Sequence, residues 1–130
     1  MPRLFTLEAA LALLPRVREL MARAQQQRRD YLAAERQLAG AVQTVRGNGH
    51  RADTLRQAQI AATRALHQAQ QTVEELHALG CEVKDLEMGL VDFRSLREGR
   101  EVYLCWRVGE ETISYWHELD AGFGGRQPLD

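Results

Sequence analysis

The chain has little of what an oxidising compartment, a membrane or a metal-finger scaffold would require. Its 130 residues hold two cysteines, Cys81 and Cys105, too few for a disulfide framework. The apolar run near the start that contains residues 11–14 is cut by Pro15 and Arg16, so no membrane span is readable. No basic segment followed by a secretory apolar stretch opens the sequence. A cytoplasmic protein with reduced thiols is therefore the expectation. No Cys-x-x-Cys or His-Glu-x-x-His pair occurs, and no glycine-rich loop stands between a strand and a helix. Those absences remove the common zinc and phosphate motifs. Lysine occurs once, at Lys84, and net charge is −1, so general affinity for nucleic acid is not expected.

Charge is present but unevenly spread. Residues 1–79 carry 11 basic and 7 acidic groups, whereas residues 80–130 carry 6 and 11. That asymmetry suits packing or dimerisation between halves better than a nucleic-acid footprint. The hydrophobic period differs between them as well. Thr6 is placed to cap a helix with Glu8 in its first turn, and Leu7, Leu11, Leu14, Val17, Met21 and Ala24 follow at helical steps. Pro15, lacking an amide hydrogen, is expected to kink the helix or begin a new one. Gly47-Asn48-Gly49-His50 marks a tip, after which Leu55, Gln59, Ala62, Leu66, Ala69, Val73 and Leu76 form a heptad-like seam. An antiparallel helical hairpin over 6–79 follows. So slender a pair buries little alone, and a second copy or the C-terminal half must cover it.

From Gly80 the period becomes two. Residues 82–85 and 90–93 read as short strands around a Glu87-Met88-Gly89 turn. Residues 101–108 and 111–118 read as a hairpin turning at Gly109-Glu110. The whole is a single α+β domain over 1–130. It comprises the helical hairpin with its tip at 47–50, an antiparallel β-meander over 80–119, and a glycine-rich tail over 120–130.

A two-residue turn at Gly109-Glu110 sets a register that can be tested against chemistry. It pairs Trp106 with Ile113, Leu104 with Tyr115 and Val102 with His117 on an apolar face. The other face then carries Cys105 with Ser114, Tyr103 with Trp116, and Glu101 with Glu118. Cys105 and His117 fall on opposite faces, which eliminates a Cys–His nucleophilic pair. If Phe93 pairs with Arg100, Asp92, Glu101 and Glu118 form one acidic row, which Arg94, Arg100 and Arg126 are placed to neutralise. An exposed Tyr103–Trp116 pair is expected under the tail, with Phe123 on it. His50, at the helical tip, reaches the sheet only across an antiparallel dimer, so His50, Asp92 and His117 are the candidate metal set.

The order Phe5-Thr-Leu-Glu, Val83-Lys-Asp, Gly89-Leu-Val-Asp-Phe, Leu104-Cys-Trp-Arg, Gly109-Glu, Trp116-His-Glu and Gly122-Phe-Gly-Gly-Arg resembles a bacterial and archaeal family. That family is catalogued as domain of unknown function 2203, and the resemblance spans nearly the whole chain. It implies that Lys84, Asp85, Asp92, Cys105, Trp106, Arg107, Glu110, Trp116, His117 and Arg126 matter, without assigning a reaction. The register gives Trp106 to packing and Gly109-Glu110 to a turn. Lys84, Asp85, Asp92, Arg107, His117 and Arg126 remain as candidate binding residues. The leading expectation is a homodimeric, non-enzymatic interaction or ligand-binding module. Its alternative is a metal-dependent or small-ligand enzyme with a composite site at the dimer interface, using a divalent ion. The partner is a protein or small molecule of unspecified identity.

Overall fold

The computed structural model describes residues 3–47 and 52–130. The helical tip falls outside that range, so His50 lies outside the described residues. Helix α1 spans Leu7–Gly47 and α2 spans Ala52–Ala78. Thr6 caps α1 as its position predicts: its hydroxyl accepts the Ala9 N–H at 3.0 Å. Pro15 neither ends nor restarts the helix, which runs through it unbroken. One missing backbone bond on the exposed side is outweighed by Leu14 and Val17, buried on either side of it.

The buried stripe of α1 is Ala10, Leu14, Val17, Leu20, Met21 and Ala24, and nothing described on α1 after Ala24 is fully buried. On α2 the buried residues are Ala62, Ala69, Thr72 and Leu76. Small residues let the helices approach closely, and the Thr72 hydroxyl donates to Gln27 Oε1 at 2.6 Å across the seam. The distal half of the hairpin is thus an arm. From Ala24 to Gly47 it extends about 35 Å at a rise of ~1.5 Å per residue.

Five antiparallel strands follow in a simple meander: β1 Glu82–Asp85, β2 Leu90–Arg97, β3 Arg100–Arg107, β4 Tyr115–Glu118 and β5 Gln127–Pro128. The tail, expected as loop alone, therefore supplies an edge strand. The β1–β2 turn closes at Gly89, whose φ of 77° and contact with Val108 exclude a larger residue: a Cβ would lie 2.7 Å from Val108 Cγ2. The chain start joins the sheet too, since Phe5 N–H donates to the Arg94 carbonyl and Ser95 Oγ donates to the Phe5 carbonyl. Val91, Phe93, Val102, Leu104, Trp106 and Trp116 form the inner sheet face and, with Ile113 before β4, share one apolar cluster with Val17, Leu20, Met21 and Leu76.

Two registers differ from the expectation, each with consequences. Strand β2 pairs Phe93 with Leu104, not Arg100, because the connection is a tight turn at Glu98-Gly99. The acidic row does not form: Asp92 lies opposite Cys105, Glu101 opposite Leu96, and Glu118 opposite Val102. The arginines still neutralise the outlying carboxylates, Arg94 reaching Glu101 at 3.5 Å and Arg100 reaching Glu118 at 2.7 Å. In the second case, β3 and β4 are joined by residues 108–114 rather than by two residues. Cys105 pairs with Tyr115, Leu104 with Trp116 and Tyr103 with His117. A slip of one residue moves every β4 side chain to the other face. Trp116 enters the core and His117 leaves the apolar face, while Tyr103 and Trp116 separate.

Candidate functional site

The slip assembles what the expected register had taken apart. On the outer sheet face β2 presents Asp92, β3 presents Cys105 directly opposite, and β4 presents His117 beside them. All three are buried, and one ligand-type atom from each lies within 4.8 Å of the others. Asp92 and His117 are each 2% exposed.

The polar bonds around His117 fix its orientation. Its Nδ1 lies 2.7 Å from the Glu118 carbonyl, which can only accept, so Nδ1 carries a proton. The Gly122 N–H, 3.3 Å from the same nitrogen, is the longer contact and cannot donate to it in that tautomer. Nε2 faces Asp92 Oδ2 at 3.0 Å, with one proton between the two. The second carboxylate oxygen, Oδ1, has no hydrogen-bond partner. A buried, half-satisfied carboxylate is expensive. Burial raises the Asp92 carboxyl above its ordinary range, and the charge and hydrogen bond of His117, with a hydrogen bond from the Cys105 thiol, only partly oppose this.

Nucleophilic Cys–His chemistry fails here for a new reason. The two residues share a face, but both ring nitrogens are already engaged, one by Glu118 and one by Asp92. Burial and the neighbouring Asp92 charge push the Cys105 thiol up to about 12, the reverse of an activated nucleophile. What the arrangement can do is hold a cation. A cleft of about 260 Å³ opens above the three residues, lined also by Lys84, Leu90, Tyr103, Asp120 and Phe123.

The other candidate residues surround this cleft or support the fold. Lys84 Nζ binds Glu82 at 2.9 Å and donates to Tyr103 Oη at 3.3 Å; that hydroxyl also accepts from Arg94 at 2.8 Å. Asp85 is a turn residue: its Oδ1 accepts the Met88 N–H at 2.9 Å. Arg107 lies over the Phe123 ring at 5.5 Å. Arg126 is a clamp, placing Nη2 2.7 and 2.9 Å from the two oxygens of Glu110 and stacking over Tyr115 at 4.0 Å and Phe123 at 4.7 Å. Glu110 in turn accepts the Arg107 N–H at 2.8 Å, and its carbonyl accepts Trp106 Nε1 at 2.9 Å. It is a structural hub rather than a mere turn residue. Phe123 lines the cleft with Arg107 and Arg126 over its ring, and not on the expected Tyr103–Trp116 pair, which the register separates.

The family model described as an uncharacterized conserved protein (DUF2203) matches residues 3–129, nearly the whole chain. The chain belongs to this family. No curated protein and no solved structure matches it. Asp92, Cys105 and His117 all lie in the motifs that carry the DUF2203 resemblance. In this DUF2203 chain Asp92 and His117, two of the three expected metal residues, meet within one protomer, so a partner copy is not required to join them. Cys105 is the residue missed. Its signal was the need to bury Trp116, which forces His117 onto the Cys105 face. Among the described residues, no helix is long and apolar enough to cross a membrane.

Proposed function

We propose that this chain is a binding module for a small, positively charged ligand, seated in the cleft on the outer sheet face. The observation that carries the reading is Asp92: almost wholly buried, with Oδ1 unpartnered beneath an open cleft. An ionised carboxylate there is compensated only in part by His117 and Cys105, and a bound cation supplies the rest. The surrounding fold is built to hold the site still. The Glu110–Arg126 clamp fixes the tail, and His117 is held by the Glu118 carbonyl.

The test is a thermal-shift and calorimetric panel on the full chain, covering divalent metal ions and small organic ammonium ions. At least one class should raise the melting temperature of the native sequence and have no effect on Asp92→Asn. A panel in which nothing binds, or in which the Asn variant responds equally, overturns the reading.

A second element concerns assembly. The arm beyond Ala24 exposes apolar side chains, with Ile60 50% accessible. That supports a homodimer in which arms cover one another, the helices serving assembly and the sheet serving the ligand.

A further inference from the structure

We infer that the cation is a borderline transition metal of the zinc class, bound by Asp92 Oδ, Cys105 Sγ and His117 Nε2 with its fourth position open to the cleft. This rests on the cation-binding reading above and narrows it to a ligand class and a coordination geometry.

The donor set makes the first selection. Magnesium and calcium take oxygen donors, whereas a thiolate with an imidazole favours zinc and its neighbours. A buried site offering sulfur, nitrogen and oxygen in one cluster is a poor match for a hard ion.

Geometry makes the second. Around tetrahedral zinc, with bonds of about 2.0–2.3 Å, donor atoms stand roughly 3.3–3.8 Å apart. The Nε2–Oδ2 separation of 3.0 Å is a few tenths short of that, and the whole cluster spans no more than 4.8 Å. Closing on an ion needs movements of about 1 Å or less by this comparison. The Nδ1–H of His117 bonded to the Glu118 carbonyl is the outer support that metal-binding imidazoles use, and it leaves Nε2 as the ligating atom. The unpartnered Asp92 Oδ1 supplies a further acceptor in the same place.

Three protein ligands and a cleft on the remaining side describe an open rather than a closed site. A structural zinc would take a fourth side chain, and the cleft supplies none close enough: among the described residues, only these three form such a cluster. Water or an anionic group of a small ligand takes the fourth position, within reach of the cleft wall at Lys84 and Asp120. On binding, the S–H bond of Cys105 breaks and the proton held between His117 Nε2 and Asp92 Oδ2 leaves; sulfur, nitrogen and oxygen bond the metal and both protons pass to solvent.

Cobalt(II) titration of metal-free full-length protein tests this, because cobalt adopts zinc sites and reports its ligands by absorption. The expected result is saturation near one ion per chain, an intense thiolate-to-cobalt charge-transfer band, and visible bands of a four-coordinate centre. Zinc should bleach both. Cys105→Ser should abolish the charge-transfer band and weaken zinc binding at least about tenfold, and His117→Asn should do likewise for affinity. Cys105→Ala serves as a second variant, with circular dichroism confirming that each remains folded. Cation binding that is sensitive to Asp92→Asn but gives no thiolate band and survives Cys105→Ser overturns the zinc-class assignment while leaving the cation-binding reading intact. Absence of any bound cation overturns both.

Discussion

Removing the Glu110 carboxylate should cost the protein much more than its position in a surface connection suggests. Glu110 accepts two contacts from Arg126 Nη2 at 2.7 and 2.9 Å and the backbone N–H of Arg107 at 2.8 Å. Each charge-assisted bond is worth about 1.5–3 kcal/mol when it is largely out of water. The Arg126 side chain is 11% exposed and that of Glu110 27%, so solvent screens the pair only in part. Deleting the acid also leaves a desolvated guanidinium behind, although its stacking on Tyr115 and Phe123 remains. The combined loss for Glu110→Ala is about 2–4 kcal/mol, below the range for a fully buried pair. For a domain of this size that corresponds to a fall in melting temperature on the order of 10 °C. A double-mutant cycle with Arg126→Ala should return a coupling of at least about 1.5 kcal/mol in denaturant unfolding. The Arg100–Glu118 pair is the control. Its side chains are 54% and 37% exposed, and its coupling should be much smaller than that of the clamp. Equal couplings in the two cycles would refute the argument that desolvation makes the clamp strong.

Asp92→Asn should alter stability in a pH-dependent sense. Burial raises the folded-state carboxyl, so the stability it contributes is fully present below the unfolded value and is lost as pH rises through the raised folded value. The metal-free Asn variant should therefore gain on the native protein as pH rises above about 4, and denaturant midpoints that diverge the other way would contradict this. Both thiols should resist a chromogenic disulfide reagent at about pH 8 in the native state, since burial pushes Cys81 to about 11 and Cys105 to about 12. Rapid labelling before unfolding would show either thiol to be accessible. Finally, light scattering at micromolar concentration should give a dimer that Ile60→Asp dissociates; a monomeric native protein would remove the assembly role of the arm.

The broad architecture was legible because it rests on periodicity. The helical stripe of α1 and the alanine-rich seam of α2 needed only steps of three and four, and the change to period two at Gly80 announced the sheet. The Thr6 cap and the Gly89 turn were equally local. What local pattern does not carry is the phase between strands. Alternation determines which residues of β4 share a face with one another, but not which face of β3 they join. That depends on the connecting loop, whose shape is set by contacts distant in sequence, above all Arg126 from the tail meeting Glu110. Continuity at Pro15 is similar: the residue forbids one bond, and only packing on both sides decides that the helix survives.

The register could still have been weighed on energetic grounds. A two-residue turn at Gly109-Glu110 leaves Trp116 beside Tyr103 on the polar face. A connection over 108–114 puts it in the core, opposite Leu104. An aromatic side chain of this size buries roughly 200 Å², about 4–6 kcal/mol, offset in part by Tyr115, which the same slip moves off the core face. No preference among short turns approaches that, and the loop has Trp106 Nε1 and Arg107 N–H ready to bond Glu110. Burying Trp116 then carries its neighbour to the opposite side. Side chains alternate, so the apolar demand of one residue delivers His117 to Asp92 and Cys105. The candidate site is therefore a consequence of how the core closes: any substitution that makes residue 116 small and polar removes the force that sets the register, and with it the site.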